Sequence, residues 1–367
     1  MNPLSLTALA LLLSLAQLLS PRAEACTGIN LIAADGSVIV ARTNEWGASD
    51  MDTHLTIFPR GRAFQAMTPG GVNGAAWKAK WGFVSMTAYG QPYGPDGLNE
   101  RGLYVGMYYF PGFASYAPYI EAEASKSVSV GDLMQWMLSN CETVDEALVG
   151  LEQLSVVNVD DPRFGGAALP FHWKIADPSG RTVVIEVVEG GKVEVREAVL
   201  GVITNSPGYD WHTTNLRNYL KLSPLPAGAV ALDGTDLSPL GAGSGMLGLP
   251  GDFTPPSRFV RAAAFVASAR STATGEETVD EAFRILDSFN IPIGSVMPRD
   301  MVPEGVVGAT QFTSACDLKN KRMYYHTMHN RRVRAVDLRE IDFATIKEQS
   351  FPLDSVRAQD VQELEVR

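Results

Sequence analysis

The sequence of 367 residues is poor in charge and has no surplus of basic residues. Charged residues make up 19% and hydrophobic residues 46%, and 41 acidic against 30 basic residues leave a net charge of −11. Low charge combined with many apolar residues argues against extensive disorder and predicts a sizeable core. The lack of clustered cations argues against a nucleic-acid partner, because phosphate binding needs them.

Cysteine is also scarce. The three thiols belong to Cys26, Cys141 and Cys316, and an odd count in an exported chain indicates a thiol kept for another purpose than pairing. Whether Cys141 and Cys316 form a disulfide stays open, because sequence spacing does not give their distance. We expect both to be dispensable for catalysis, since each ends a predicted helix or strand at a site typical of small buried residues.

Long apolar runs are missing everywhere except at the N-terminus. Residues 4–19 are mostly apolar, and Ala23-Glu24-Ala25 follows as the small-x-small pattern of a signal-peptide cleavage site. The run is short for a membrane-spanning helix, which needs about twenty residues. We therefore expect a signal peptide at 1–25, one domain at 26–367, and a secreted or periplasmic protein. A lipid-modified Cys26 is the alternative, although Ala23 stands where that signal usually has Leu.

Strand patterns fall into three groups with helical patterns between them. Alternation predicts strands at 27–33 and 38–43, and Asp35-Gly36 joins them as a hairpin. Capping boxes that begin at Thr143 and Thr278 predict two helices. Further helices are predicted at 130–141 and 257–269, a long loop at 222–256, and strands at 172–176, 182–188, 192–197, 201–205, 310–317, 322–327 and 332–337. The order predicts packed layers of sheet and helix in an α+β fold.

Cleavage before Cys26 would place a thiol and a free α-amine on one residue. Their reference pKa values are about 8.5 and about 7.7–8.0, so the amine can serve as the base for the adjacent nucleophile. The predicted hairpin returns Arg42 beside Cys26, where its guanidinium would favour the thiolate. Glu45 could orient the amine or Arg42. Each charged residue alone is typical of a solvated surface, and only the combination with Cys26 points to a nucleophile at a processed N-terminus.

The sequence resembles the choloylglycine hydrolase family, which holds bile salt hydrolases and penicillin V acylases. The resemblance covers residues 26–259 in blocks that follow the family's order. They are 26–28 (CTG), 41–46 (ARTNEW), 96–103 (DGLNERGL), 106–109 (GMYY), 203–207 (ITNSP), 209–212 (YDWH), 215–217 (NLR), 249–252 (LPGD) and 256–259 (PSRF). This resemblance implies the four-layer αββα sandwich of the N-terminal-nucleophile hydrolases.

The resemblance also implies a role for each matching residue. Cys26 would be the nucleophile with its own amine as base, and Arg42 would steady the thiolate. Asn205 would donate its side-chain amide to the oxyanion, and Arg258 would balance charge near the nucleophile. Glu45 stands where the family usually has Asp, which leaves its role of holding the amine less defined.

Tyr108 is the position that bears on the substrate. Relatives that hydrolyse bile salts tend to carry Asn here and penicillin V acylases Tyr, and the backbone amide would be the second oxyanion donor in both. The ring of Tyr108 would then line an acyl pocket, which Trp46, Met51 and Tyr109 could extend. Because Tyr108 and Tyr109 are adjacent, the alternative is that Tyr109 faces the pocket and Tyr108 packs in the core.

The leading interpretation is an exported hydrolase of linear amides that resembles penicillin V acylase. N-acyl homoserine lactones and conjugated bile salts are the alternative substrates, and a non-catalytic lipid-anchored binding protein is the alternative from another class. We expect a small N-acyl amide as the partner, no nucleic acid, no integral membrane segment after processing, and neither metal nor cofactor. The resemblance implies a homo-oligomer, a tetramer.

Overall fold

In a computed structural model of the chain, the described residues are 26–47, 49–161, 167–296 and 309–366. The predicted signal peptide at 1–25 lies outside them. The described helices are all too short or too polar to cross a membrane.

A five-stranded antiparallel sheet contains the start of the described chain. Its strands are β1 (Cys26–Ile32), β2 (Val38–Trp46), β10 (Ala309–Asp317), β11 (Arg322–Thr327) and β12 (Arg334–Asp337), in the order β1-β2-β10-β11-β12. The predicted hairpin between β1 and β2 is confirmed, and Gly36 supplies the left-handed backbone, with φ of 81°, that its turn requires. Cys26 therefore opens an edge strand.

An eight-stranded antiparallel sheet faces the first. Its strands are β3 (His54–Phe58), β4 (Phe83–Thr87), β5 (Asp96–Asn99), β6 (Tyr104–Tyr109), β7 (Phe171–Ala176), β8 (Thr182–Val188), β9 (Lys192–Glu197) and β13 (Gln349–Pro352). They lie in the order β9-β8-β7-β6-β5-β4-β3-β13. Short two-stranded pairs lie outside both sheets at Ala63–Gln65 with Ala76–Lys78, Ser127–Val128 with Ser155–Val156, Asp160–Asp161 with Ala167–Ala168, and Val230–Leu232 with Thr235–Leu237.

Helices cover the outer face of each sheet. They are α1 (Val130–Asn140), α2 (Val144–Leu151), α3 (Tyr209–Leu216), α4 (Pro255–Ala267) and α5 (Gly275–Asp287). Residues of α1 and α2 share an apolar core with the eight-stranded sheet, those of α4 and α5 share one with the five-stranded sheet, and a third core lies between the sheets. The predicted αββα sandwich is thus confirmed.

Three predicted elements differ in the structure. The stretch predicted as a long loop at 222–256 contains a short hairpin, in which Val230–Leu232 pairs with Thr235–Leu237. Helix α5 begins one turn before the predicted box, because Thr274 caps it by accepting a hydrogen bond from the Glu277 amide, and Thr278 lies inside the helix. The predicted strand at 201–205 is wrong. Only Ile203 pairs there, in an isolated bridge with Gly28, because Gly201 ends a short 3₁₀ turn at Val199–Gly201 and the chain turns again after Asn205.

Candidate active site

Cys26 lies between the two sheets and is almost completely buried, with 5% of its surface exposed. The antiparallel register places it opposite Asn44 and places Gly28 opposite Arg42. Because side chains alternate across a strand, Cys26, Arg42 and Asn44 project from one face of the sheet, toward the eight-stranded sheet. The predicted approach of Arg42 to Cys26 is therefore present.

Arg42 is held by backbone oxygens rather than by a carboxylate. Its Nη1 donates to the carbonyl oxygens of Pro95 at 2.7 Å and Met107 at 2.8 Å. Pro95 has no N–H with which to complete the strand ladder, so the Met107 oxygen is left for the guanidinium. The guanidinium also lies 4.2 Å from the centre of the Tyr108 ring. A fully buried cation is thereby fixed beside Cys26.

Asn44 is a site residue that the sequence analysis missed. Its Oδ1 lies 3.9 Å from the Cys26 thiol and accepts a hydrogen bond from Arg42 Nη2 at 3.3 Å. Its Nδ2 donates to the Met51 sulfur at 3.1 Å. The available signal was its place two residues after Arg42 on the same strand face.

Asn205 and Arg258 meet at the backbone of Cys26. Asn205 Oδ1 accepts a hydrogen bond from the Cys26 nitrogen at 2.9 Å and one from Arg258 Nη2 at 2.7 Å. Arg258 also donates to the Cys26 carbonyl oxygen and to Thr27 Oγ1. Asn205 Nδ2 donates to the Tyr109 carbonyl oxygen at 2.8 Å, and this NH₂ group is the one predicted to face an oxyanion.

Two buried histidines hold the segment that carries Asn205. His172 Nε2 lies 3.2 Å from the Thr204 oxygen, and His212 Nε2 lies 2.9 Å from the Asn205 oxygen. Carbonyl oxygens only accept, so both nitrogens donate. Burial lowers the pKa of His212 to about 4, which keeps this ring neutral at pH 7. His212 stands in the YDWH block, but sequence alone gave it no role.

Glu45 projects from the opposite face of β2, toward the helices. Its Oε1 accepts a hydrogen bond from Thr310 Oγ1 at 2.9 Å, and Oε2 has no hydrogen-bond partner among the described residues. Burial raises the pKa of Glu45 to about 7, and the charge of Arg258 acts in the opposite direction. The Cys26 nitrogen contacts Asn205 rather than this carboxylate.

The buried thiol of Cys26 favours its protonated form. Burial raises its pKa, and the negative charge of Glu45 adds to the rise. The guanidiniums of Arg42 and Arg258 and a hydrogen bond from the Glu45 backbone N–H act in the opposite direction. The cations limit the rise without reversing it. A base is therefore needed to release the thiolate.

The prediction that Tyr108 lines the pocket is wrong. Tyr108 is fully buried between the sheets, with its hydroxyl 3.4 Å from that of Tyr104 and its ring under Arg42. Its neighbour Tyr109 points to the other face of β6 and lines the cavity at Cys26. Alternation along a strand permits only one of two adjacent residues to face the cavity.

The backbone amides lead to the same correction for the second oxyanion donor. Phe110 N donates to Pro170 O. Because hydrogen-bonded pairs alternate along an antiparallel ladder, Tyr108 and His172 also form a hydrogen-bonded pair, and the Tyr108 N–H points toward β7. The N–H of Tyr109 points the other way, on the side where Met107 N donates to Pro95 O. The predicted role therefore passes from Tyr108 to Tyr109.

The cavity beside Cys26 is walled by apolar and aromatic side chains. It holds about 530 Å³ of space, part of which is open to solvent. Its lining residues are Cys26, Asn44, Trp46, Met51, Ala88, Tyr89, Gln91, Tyr93, Gly94, Pro95, Met107, Tyr109, Leu169 and Phe171. Trp46, Met51 and Tyr109 are thus placed as predicted, and no charged residue is among the lining residues.

Cys141 and Cys316 are remote from this chemistry. Both are buried free thiols, and burial raises the pKa of each. Neither lines the cavity at Cys26. The open question of their pairing is answered for this structure, since it contains no disulfide between them.

Comparison with known proteins agrees with this geometry. A sequence profile of the linear amide C–N hydrolases, choloylglycine hydrolase family, matches residues 26–356. The chain belongs to the choloylglycine hydrolase family. It is a linear amide hydrolase, and the matched range begins at the buried cysteine described above.

Family members of both substrate types are similar to the chain. A bile salt hydrolase/transferase of Clostridium perfringens is 30% identical over 85% of this chain and 92% of its own length. A penicillin V acylase of Pectobacterium atrosepticum is 28% identical over 83% of this chain and 78% of its own length. The crystal structure of a conjugated bile acid hydrolase variant from Clostridium perfringens has a TM-score of 0.79 at 26% identity, covering 93% of this chain and all of that one. Penicillin V acylase from Agrobacterium tumefaciens has the same fold, with a TM-score of 0.72 at 22% identity. The match covers 91% of this chain and 95% of that one.

Proposed function

We propose that the protein is an exported acylase that resembles penicillin V acylase and cleaves amides of aromatic or extended acyl groups. The observation that carries this proposal is the uncharged, aromatic cavity that opens onto the Cys26 thiol. The rings of Trp46 and Tyr109 meet edge to face at 5.9 Å, and those of Tyr109 and Phe171 at 5.8 Å. A flat phenoxyacetyl group fits such walls by packing.

The proposed reaction passes through a thioester. The α-amine of processed Cys26 takes the thiol proton, the sulfur attacks the amide carbon, and the proton passes to the leaving nitrogen as the C–N bond breaks. Water then attacks the thioester carbon. As the C–S bond breaks, one proton of the water passes to the sulfur and its oxygen leaves in the released acid. Asn205 Nδ2 and the Tyr109 N–H would bind the oxyanion, and Arg42 would stabilise the thiolate.

Processing and export belong to the same proposal. While residue 25 is attached, the Cys26 nitrogen is an amide that donates to Asn205, and an amide cannot act as the base. Removal of residues 1–25 would create the amine in place. Mass spectrometry of the mature N-terminus tests this step: free Cys26 supports the enzyme, and a diacylglyceryl cysteine supports the lipid-anchored alternative.

A homo-oligomer is also proposed, and its support is a group of exposed apolar side chains on a hairpin and in the segment that follows it. Val230–Leu232 and Thr235–Leu237 are exposed throughout, and Leu240 and Leu247 beyond them are exposed too. Apolar patches of this kind are typical of contact surfaces. Light scattering during size-exclusion chromatography should give a mass above one chain, and a monomer at all concentrations would contradict this part of the proposal.

A hydrolysis panel tests the substrate. Penicillin V, a long-chain N-acyl homoserine lactone and glycocholate should be compared by kcat/KM on one preparation. We expect penicillin V or the acyl homoserine lactone to exceed glycocholate. Preference for glycocholate would replace the proposal with bile salt hydrolysis, the activity named for several relatives.

A further inference from the structure

Gln311 occupies an irregular position in β10, the strand beside the nucleophile hairpin. Thr310 pairs with Glu45 and Phe312 with Asn44, so Gln311 is an extra, unpaired residue between two consecutive pairs of the β2–β10 ladder. Such a β-bulge redirects one side chain out of the regular alternation. The redirected side chain is buried, with 6% of its surface exposed.

The Gln311 carboxamide forms hydrogen bonds with the segment that connects β2 to β3. Its Oε1 accepts a hydrogen bond from the Met51 amide at 3.1 Å. Its Nε2 donates to the carbonyl oxygens of Trp46 at 3.2 Å and Ser49 at 2.8 Å. One acceptor and two donors are used together, and a carboxamide can supply all three where neither a carboxylate nor an apolar chain can.

This connection forms one wall of the acyl cavity. Trp46 and Met51 line the cavity, and Met51 also bonds to Asn44 beside the thiol. The Met51 oxygen accepts a hydrogen bond from the Tyr89 amide at 2.9 Å, and the Ser49 and Tyr89 hydroxyls lie 2.7 Å apart. The position of three cavity side chains therefore depends on backbone atoms that Gln311 holds.

We propose that Gln311 is a positioning residue that sets acyl-group specificity by fixing the wall formed by Trp46, Met51 and Tyr89. The proposal rests on the acyl role proposed for the cavity. Gln311 does not line the cavity and does not contact the thiol. Its effect should therefore fall on acyl groups large enough to reach that wall.

Gln311→Met is the test variant, because methionine keeps the length and burial while losing all three hydrogen bonds. Acetyl and phenoxyacetyl amides of one aromatic amine should be compared. We expect kcat/KM for the phenoxyacetyl amide to fall about tenfold, mostly through KM, the scale of a modest change in an apolar pocket. The acetyl amide should change less than about twofold. Equal losses for both amides would overturn the proposal.

Asn99→Asp is the matched control. Asn99 is fully buried, and its Nδ2 donates to the carbonyl oxygens of Leu138 at 2.9 Å and Cys141 at 2.7 Å, away from the cavity. Loss of these two hydrogen bonds should lower the stability of the protein. The ratio of kcat/KM for the phenoxyacetyl amide to that for the acetyl amide should stay unchanged. A ratio that shifts as much in Asn99→Asp as in Gln311→Met would attribute the effect to general destabilisation and overturn the proposal.

Hydrogen exchange supplies a readout that needs no turnover. The Met51 amide should exchange faster in Gln311→Met than in the parent protein, while the strand amides of β6 keep their rates. Unchanged protection of Met51 would overturn the proposal even if activity changed. If the parent cleaves none of the amides, the acylase proposal fails, and the exchange result still decides whether Gln311 holds this wall. Gln311→Glu, which keeps the acceptor and loses both donors, replaces Gln311→Met if that variant does not fold.

Discussion

At the scale of single residues, the active site combines a buried thiol with two buried guanidiniums and no general base among the described side chains that contact the sulfur. The only hydrogen-bonding side chain that the described structure brings to the Cys26 sulfur is Asn44, whose carboxamide cannot take a proton at neutral pH. Burial raises the pKa of this thiol, which supports the proposal that the α-amine of Cys26 is the base.

Replacing the nucleophile is the simplest test of this assignment. Cys26→Ser should fold normally, since oxygen is close to sulfur in size, but the hydroxyl ionises far less readily. We expect turnover to fall by on the order of 10³-fold or more, as in other sites whose members act as a unit. Cys141→Ser is the control and should retain its rate. Retained activity in Cys26→Ser with loss in Cys141→Ser would contradict the assignment.

Glu45 gives a prediction about stability and pH. Burial raises its pKa from 4.5 to about 7 in the folded protein, so the folded state keeps a proton that the unfolded chain has lost. The retained proton adds to the free energy of unfolding. This contribution is fully present below pH 4.5 and is lost as the pH rises through 7. Between pH 5 and 8, Glu45→Gln should therefore lose less stability than the parent, by up to about 3 kcal/mol. Urea unfolding at both pH values checks this, and parallel pH dependences would count against it.

Substitutions of the adjacent residues Tyr108 and Tyr109 should have different effects. Tyr109→Asn removes an aromatic ring from the cavity. We therefore expect kcat/KM for penicillin V, relative to that for glycocholate, to fall by roughly 10–200-fold, which corresponds to about 1–3 kcal/mol. Tyr108→Asn disturbs the packing between the sheets and should lower stability and reduce all substrates equally. Steady-state kinetics with both substrates, together with thermal unfolding, distinguishes the two. A shifted substrate ratio in Tyr108→Asn alone would reverse the assignment.

At the scale of elements, the nucleophile strand β1 depends on close packing against the facing sheet. A Cβ placed on Gly28 would lie 2.3 Å from the Tyr108 hydroxyl and 2.8 Å from an Ile203 methyl. Gly28→Ala should therefore cost roughly 1–3 kcal/mol in stability, the usual range for overpacking, and should lower activity by shifting β1. Gly228→Ala, with open space around it, is the control. Equal stability in both variants would show that β1 is less constrained than described.

The elements were largely predictable, and the exceptions have local causes. Period-two patterns and turn residues identified the nucleophile hairpin, and the capping box at Thr143 was placed correctly. The box at Thr278 failed because Thr274 stands one turn earlier with an acidic residue three positions on, so two starts compete and sequence alone does not choose. Strand 201–205 failed because an apolar run does not say whether a partner strand lies alongside it.

At the scale of the whole molecule, the layered fold and the family were predictable because the motif blocks lie far apart in sequence and together specify one arrangement. The cavity was predictable only in part. Which of two adjacent residues faces it depends on the register of β6, and one step of register exchanges the two faces. Asn44 and Gln311 went unrecognised because their roles come from contacts across strands, including a β-bulge that local patterns do not indicate.

The central claim is that the amine of Cys26 is the base, and the most direct test is to vary only what precedes it. The turnover of a form that begins at Cys26 should be compared with that of a form retaining one uncleaved residue before it, after thermal unfolding has shown both to be folded. The account predicts full activity for the first and almost none for the second. Equal turnover in the two folded forms would contradict it.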